Sequence, residues 1–495
     1  MVKRYQGGYI GGRTYPVLPN QGGMRSTAEQ ISGIGTGTWP VAGYWYNQTT
    51  SQTLIPHGLV VDVNNNIYVV GADNGGQGSG GLDAIIIKYS PDGQILWSKT
   101  IGTGGTERFY CVDVDATGTF VWAGGSTSSG SDTLLAKFNC SDGSEVFQKK
   151  HTSTLGIDLI RGIKCRNDGN GGVVIAATFT RTSGRLGVGI AKTNADGTMN
   201  GNQVFNFSST SASYRANDLA IAPALGDTIQ RYFIASQSNQ VTSATGAALT
   251  TVSADLATHL SHRENRYLSG ITTTYCVATD SVGGVYLGCE AKATSSAAWL
   301  LKYDSPFALN TTAPTPSYSK PLGPTNSGSL YSWVNDLVVD SSDNVWAGTI
   351  HSTTEDTYFA LQKLNTSGTV LSAYSLRLTG LDGYADRCLA VKDGFVYIAL
   401  RTTPRVSGSF VNNLETAYGG LLVAKLPVDW SIIQGTKGIM NFSSYSNTPF
   451  GSLTSFNSTD TVATAATAKT AGMPETSAIT NTTVSTTYGS TLTRV

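Results

Sequence analysis

One phrase recurs along this chain and constrains its fold more than any other feature: an aspartate-led turn, then a short apolar strand ending in Gly or Ala. It reads Asp62-Val-Asn-Asn-Asn-Ile-Tyr-Val-Val-Gly71, Asp115-Ala-Thr-Gly-Thr-Phe-Val-Trp-Ala-Gly124, Asp280-Ser-Val-Gly-Gly-Val-Tyr-Leu-Gly288 and Asp340-Ser-Ser-Asp-Asn-Val-Trp-Ala-Gly348. Lys392-Asp-Gly-Phe-Val-Tyr-Ile-Ala399 is a degenerate fifth copy. A phrase repeated at intervals of roughly 50 residues, or multiples of it, is one supersecondary unit copied many times, because each unit buries its apolar faces only against its neighbours.

The first copy parses into four strands: Gly58-Leu-Val-Val-Asp-Val, Ile67-Tyr-Val-Val-Gly, Asp83-Ala-Ile-Ile-Ile-Lys-Tyr and Gln94-Ile-Leu-Trp-Ser-Lys. The turns between them, Asn64-Asn65-Asn66 and Ser90-Pro-Asp-Gly93, carry residues that tolerate left-handed backbone or preset a turn. The second strand is apolar almost throughout, which suits a sheet packed on both faces. A lysine closes the third strand and serves as a ruler, at 88, 137, 192, 302, 363 and 425. The interval between the third and fourth of these lysines is two periods, so the spacing predicts another copy near Arg215 to Leu260. Its strands would begin at Asn217-Asp-Leu-Ala-Ile-Ala, Arg231-Tyr-Phe-Ile-Ala-Ser and Ala247-Ala-Leu-Thr-Thr-Val-Ser. Seven four-stranded antiparallel copies between about residues 57 and 440 predict an all-β chain, a seven-bladed β-propeller with extended N- and C-terminal arms. An open β-solenoid would need shorter rungs. The phrase resembles the propeller repeats of the NHL and SBBP kind, and it lacks the Gly-His and Trp-Asp pairs of WD40 blades and the double glycines of kelch blades.

Composition agrees with short strands and many turns: 57 Gly, 23 Tyr and only 13% charged residues in 495. Lys plus Arg equals Asp plus Glu at 33 each, so no net field draws in nucleic acid, and no nucleic-acid partner is expected. No run of about 18 apolar residues exists, so no membrane insertion is expected. Met1-Val-Lys-Arg-Tyr-Gln-Gly-Gly lacks the apolar core of a secretory signal, and the expectation is a soluble protein not exported by that route. The six cysteines, at 111, 140, 165, 276, 289 and 388, show no zinc spacing. Cys276 and Cys289 flank one hairpin and are expected to be reduced thiols.

The two ends differ from the repeat, and three segments are expected: an N-terminal assembly arm over 1–50, the propeller over 51–440, and a Ser/Thr-rich C-terminal arm over 441–495. Residues 1–50 are punctuated by glycine pairs and prolines yet rich in aromatics, among them Tyr44 and Trp45, which suit anchoring in a neighbouring subunit. Within them, Ser26-Thr-Ala-Glu-Gln-Ile-Ser-Gly-Ile-Gly-Thr-Gly-Thr-Trp-Pro40 resembles an N-terminal phrase of virion proteins from tailed, notably marine, bacteriophages. The match covers about fifteen residues and departs from the usual form, which has a Trp before the Glu and a more charged spacer. The resemblance implies a virion location, other virion proteins as partners, multiple copies in a symmetric assembly, and Glu29, Gln30, Trp39, Pro40, Tyr44 and Trp45 as assembly contacts.

The search for chemistry starts from the channel that a propeller encloses. Asp62, Asp113, Asp218 and Asp336 fall on or beside innermost strands, with Arg108, Arg161, Arg215 and Arg387 near the blade entrances. They read as turn caps or a solvated lining. His259-Leu-Ser-His262 has a metal-like spacing without the glutamate of a zinc hydrolase, and Asn167-Asp-Gly-Asn-Gly-Gly172 is a weak calcium pattern, so no metal or cofactor is expected. No Gly-x-Ser-x-Gly elbow, phosphate loop or sialidase Asp-box is found. The expected function is a non-catalytic phage structural protein, attached by its arms to the tail or capsid and not an enzyme. The first alternative is a carbohydrate- or receptor-binding tail protein with a host-surface glycan as partner. The second is a propeller polysaccharide lyase or glycosidase using channel carboxylates.

Overall fold

In the computed structural model the described residues are most of 45–430 apart from connecting loops, together with 435–437, 440–444, 467–469, 475–478, 482–485 and 490–494. The chain divides into two units, residues 1–44 and residues 45–495. The second is a seven-bladed β-propeller of antiparallel sheets. Blades 1 to 3 run, from channel to rim, through Leu54–Val61, Ile67–Asp73, Asp83–Tyr89 and Ile95–Gly102; then Arg108–Val114, Phe120–Thr127, Asp132–Asn139 and Glu145–His151; then Ile157–Cys165, Val173–Thr180, Leu186–Thr193 and Met199–Asn206. Blades 4 to 6 have inner strands Ser213–Ala222, Ile271–Thr279 and Ser329–Val339 and outer strands His259–Asn265, Tyr318–Pro321 and Val370–Leu378. The copy without a lysine is blade 4, where Val252 pairs with Tyr232 as Lys302 pairs with Tyr286 in blade 5.

Blade 7 is assembled from both ends of the chain. Its inner segments Leu381–Tyr384 and Leu389–Lys392 and its strands Phe395–Pro404 and Gly420–Pro427 are followed by Trp45–Thr49, whose Trp45 pairs with Lys425. Ser490–Arg494 pairs on the far side of that strand. A seventh sheet completed by strands hundreds of residues apart closes the ring, so that opening it breaks two ladders at once. Further short strands lie on the rims of other blades: Met440–Ser444 on blade 6, Thr467–Lys469 on blade 3, Glu475–Ala478 on blade 2 and Thr482–Ser485 on blade 1.

Packing between neighbouring blades supplies the core. Ile67, Val69, Ile85 and Ile87 of blade 1 pack with Tyr397, Ala399, Leu421 and Val423 of blade 7. Val70 and Ile86 on the other face of blade 1 pack with Val121 and Leu134 of blade 2. Alternate residues of one strand therefore serve two interfaces, which explains its uninterrupted apolar run; each such side chain contributes roughly 1.5–3 kcal/mol.

Both repeated sequence features are structural devices. Asp62 accepts from the backbone N–H groups of Asn64 and Asn66 at 2.8 and 2.9 Å and from the Tyr68 hydroxyl at 3.1 Å. Asp280 holds Tyr286 at 3.1 Å and Asp340 holds the Trp346 indole N–H at 2.9 Å in the same way, so the phrase ties a turn to the aromatic six residues on. The lysines reach the next blade: Lys88 Nζ donates to Cys140 O at 2.7 Å, Lys137 to Ala195 O at 2.9 Å and Lys302 to Thr366 O at 3.0 Å. Lys137 Nζ also lies 4.7 Å from the centre of the Trp122 ring.

Candidate functional site

The inner strands share one break at an equivalent place, and those of blades 3 and 6 carry a second, nearer their start. In blades 1 to 6 the pairing with the second strand skips a residue at His57, Tyr110, Arg161, Asn217, Tyr275 and Asn335. In blade 7 the ladder is interrupted between Tyr384 and Leu389, and Arg387 takes the equivalent place with φ 48°. A bulge leaves one residue out of the ladder and re-aims its side chain, and bulges concentrate beside functional sites. The seven bulge residues occupy equivalent places within the inner strands and form one ring around the channel, the mouth, in which His57, Tyr110, Asn335 and Arg387 are buried.

Their chemistry is uneven around the ring. The His57 and Tyr110 rings are 5.2 Å apart between centroids, and the Arg161 guanidinium lies 4.0 Å from the Tyr110 ring centre. Arg108 and the exposed Arg215 flank Arg161 on blades 2 and 4, so three consecutive blades present arginine at this end. Blades 5 and 6 present aromatics instead: Tyr275 lies 6.5 Å from Trp333 and donates to Glu290 at 2.6 Å. Gly162, next to Arg161, lets blades 3 and 4 approach, because a Cβ there would meet the Leu219 backbone nitrogen at 2.8 Å.

Arg387 crosses the channel beneath this cluster. It donates to the carbonyls of Arg161 and Asn217, and to Tyr110 O at 2.9 Å, with Asp218 at 3.8 Å as counter-ion. Burial raises the Asp218 carboxyl against the pull of Arg387 and Lys164. Asp336 is pushed up to about 7 by burial and by the Asp218 charge, against backbone hydrogen bonds from Leu389 and Leu337. Burial alone would lower Lys164; the carboxylates of Asp113, Asp218 and Asp336 outweigh it, and the net direction is upward.

The aspartates read from the sequence as channel candidates fall into two structural roles. Asp62 is a turn former. Asp113, Asp218 and Asp336 each accept a backbone N–H from the next blade, from Cys165 at 2.6 Å, Val277 at 3.0 Å and Leu389 at 2.9 Å. At the other end, a cavity of about 560 Å³ is lined by Asp113, Lys164, Arg166, Gln230 and Thr279 among apolar inner-strand residues. No group of His, Cys, Asp and Glu fit to hold a metal occurs among the described residues, and Cys276 and Cys289 are both free thiols. Glu29, Gln30, Trp39, Pro40 and Tyr44 lie outside the described residues; Trp45 begins the strand that closes blade 7. Sequence reasoning singled out Arg161 and Arg387 but passed over His57, Tyr110 and Tyr275. A signal was present: each bulge residue stands five positions before the turn-leading residue of its copy, as His57 before Asp62, Tyr110 before Asp115 and Arg387 before Lys392.

No protein-family model matches the chain, and no curated protein matches it. Among solved structures it is similar to a PL25 ulvan lyase bound to -[GlcA(1-4)Rha3S]-, with 12% identity and a TM-score of 0.45 over 76% of this chain and 99% of that one. The polysaccharide lyase Uly1 matches with 9% identity and a TM-score of 0.44 over 82% and 96%. A prolyl endopeptidase matches with 9% identity and a TM-score of 0.40, this chain spanning 47% of its length. At these identities the likeness is one of propeller fold. The expectation that the chain is not an enzyme is corrected to an open one: propellers of this fold include polysaccharide lyases, so the fold does not exclude catalysis. That expectation rested on finding no acid pair or base and on reading the channel aspartates as turn caps or a solvated lining, whereas the clustered groups at the mouth are His, Tyr and Arg.

Proposed function

We propose that the protein binds an acidic polysaccharide at the channel mouth and cleaves it by β-elimination. The carrying observation is the His57, Tyr110 and Arg161 cluster on three adjacent blades, with Arg108 on blade 2 and Arg215 on blade 4 beside Arg161, and Tyr275 and Trp333 following on blades 5 and 6. Elimination from a uronate needs three things: a charge against the carboxylate, a base for the C5 proton, and an acid for the leaving oxygen. Arg161 faces the carboxylate and offsets the negative charge that grows there as the C5 proton leaves. Tyr110 and His57 form the pair that takes that proton and gives one to O4; the C5–H electrons become the C4=C5 double bond as the C4–O4 bond breaks. Arg108 and Arg215 supply further positive charge along an anionic chain, and the aromatic side stacks sugar rings.

The test is incubation of the full chain with uronate-containing polysaccharides, ulvan among them, reading the ultraviolet absorbance of the unsaturated product. Cleavage that disappears in both Tyr110→Phe and His57→Gln is the expected result. No product from any acidic polymer, or cleavage that survives both changes, overturns the reading.

The phrase from Ser26 to Pro40 supports a place for this propeller on a phage particle, where such an activity would act on a host-surface glycan. Deleting residues 1–44 is expected to leave a folded propeller that no longer enters particles, and continued incorporation would refute the arm. The deletion has to stop before Trp45, because Trp45–Thr49 pairs with both Gly420–Pro427 and Ser490–Arg494.

A further inference from the structure

Arg387 is the one non-glycine bulge residue of the ring with a positive φ, at 48°. A left-handed arginine costs roughly 1 kcal/mol and persists only where the surroundings hold it. Here the holding contacts are three carbonyls from three other blades, those of Tyr110, Arg161 and Asn217, which are themselves the bulge residues of blades 2, 3 and 4. The side chain is 8% exposed, and Asp218 Oδ1 at 3.8 Å compensates its charge. A bulge is the point at which a strand's backbone direction is least determined by its ladder, so a donor fixing the bulge carbonyl also fixes where the side chain on that residue points.

We infer that Arg387 is a positioning residue: its guanidinium, spanning the channel from blade 7, sets the orientation of Tyr110 and Arg161 at the mouth. The inference builds on the proposed cleavage reaction, although the geometry it describes exists without substrate. A planar fork with five donors reaches three carbonyls on separate blades; a lysine ammonium keeps the charge beside Asp218 but not that spread. Displacing a reacting group by about 1 Å costs on the order of 100-fold in rate. Arg387→Lys should therefore lower kcat by about that factor, with a smaller rise in KM from the re-aimed Arg161. Free guanidinium should restore part of the rate in Arg387→Gly, and sodium chloride at equal ionic strength should not.

A second readout needs no activity. The His57 Cε1–H resonance, assigned by its loss in His57→Gln, senses the ring current of Tyr110 at 5.2 Å. It should shift in folded Arg387→Lys. A kcat within twofold of the unsubstituted protein, or a His57 resonance unmoved in the variant, overturns the positioning role. If the unsubstituted chain cleaves no acidic polymer, the proposed reaction fails, and the His57 resonance still decides whether Arg387 orients the ring.

Discussion

The two ends of the channel are built from the same seven inner strands yet follow opposite rules. At the turn end the chain repeats itself: Asp62, Asp280 and Asp340 hold the same turn and the same aromatic six residues on. At the mouth it does not, and His57, Tyr110, Arg161, Asn217, Tyr275, Asn335 and Arg387 occupy equivalent bulges with different chemistry. A position filled the same way in several copies answers a requirement shared by every blade, which is to fold. Equivalent positions filled differently leave that requirement to other residues and free the side chain for a task specific to its place in the ring.

The sharpest way to break this contrast is at the mouth. Arg161→Met should reduce cleavage about 100- to 1000-fold, the cost of removing one charge-stabilising group, with the thermal midpoint within a few degrees of the unsubstituted chain. A collapse of stability instead would place Arg161 with the scaffold.

The opposite pattern is expected at the turn end. Asp280, 2% exposed, accepts from Val282 N at 3.2 Å and from the Tyr286 hydroxyl, so Asp280→Ala should cost about 2–4 kcal/mol of stability and leave kcat within twofold. A large loss of kcat in a folded variant would contradict it.

The pH dependence of stability should be bounded from both sides. Burial lowers His351 to about 3, where it bridges Ser332 and Thr349, each at 2.8 Å; its contribution is full above the ordinary histidine value and is lost as pH falls below it. Asp336, raised to about 7, works the other way: the folded state holds its proton longer than the unfolded chain, so that contribution is lost as pH rises from about 4 through 7. Unfolding free energies measured against pH should fall by about 1–3 kcal/mol on each flank. His351→Gln should remove the acid flank, and a profile unchanged by that substitution would refute the assignment.

The smallest effect is expected at the lysine ruler. Lys137→Met keeps the stem over Trp122 but loses the hydrogen bond to Ala195 O, and should cost about 0.5–1.5 kcal/mol. A change above 3 kcal/mol would make the lysines structural pins rather than minor staples.

The propeller was legible because each blade needs the same turn and the same two-sided strand, and Asp62 to Gly71 shows both in ten residues. Blade 4 was legible by interval alone, its lysine position being filled by Val252. The closing of blade 7 by Trp45–Thr49 was not, because a single edge strand carries no partner information and Trp45 read equally well as an anchoring aromatic. The mouth was half legible. Arg108, Arg161, Arg215 and Arg387 stood out by charge, whereas Tyr110 resembles every other tyrosine of a β-rich chain until its strand is known to bulge there. The channel aspartates read as turn caps or a solvated lining; Asp62 is such a cap, whereas the role of Asp113, Asp218 and Asp336 in holding the next blade's backbone depends on contacts between blades that the sequence does not display.

The most direct test of the mouth as the working end is a crystal structure of the full chain soaked with a short uronate oligosaccharide, using Tyr110→Phe to prevent turnover. The account predicts the sugar on the bulge ring, its carboxylate against Arg161 and a ring stacked near Tyr275 or Trp333. Sugar bound only in the turn-end cavity beside Lys164 and Arg166, or only on the outer rims of the blades, would contradict it.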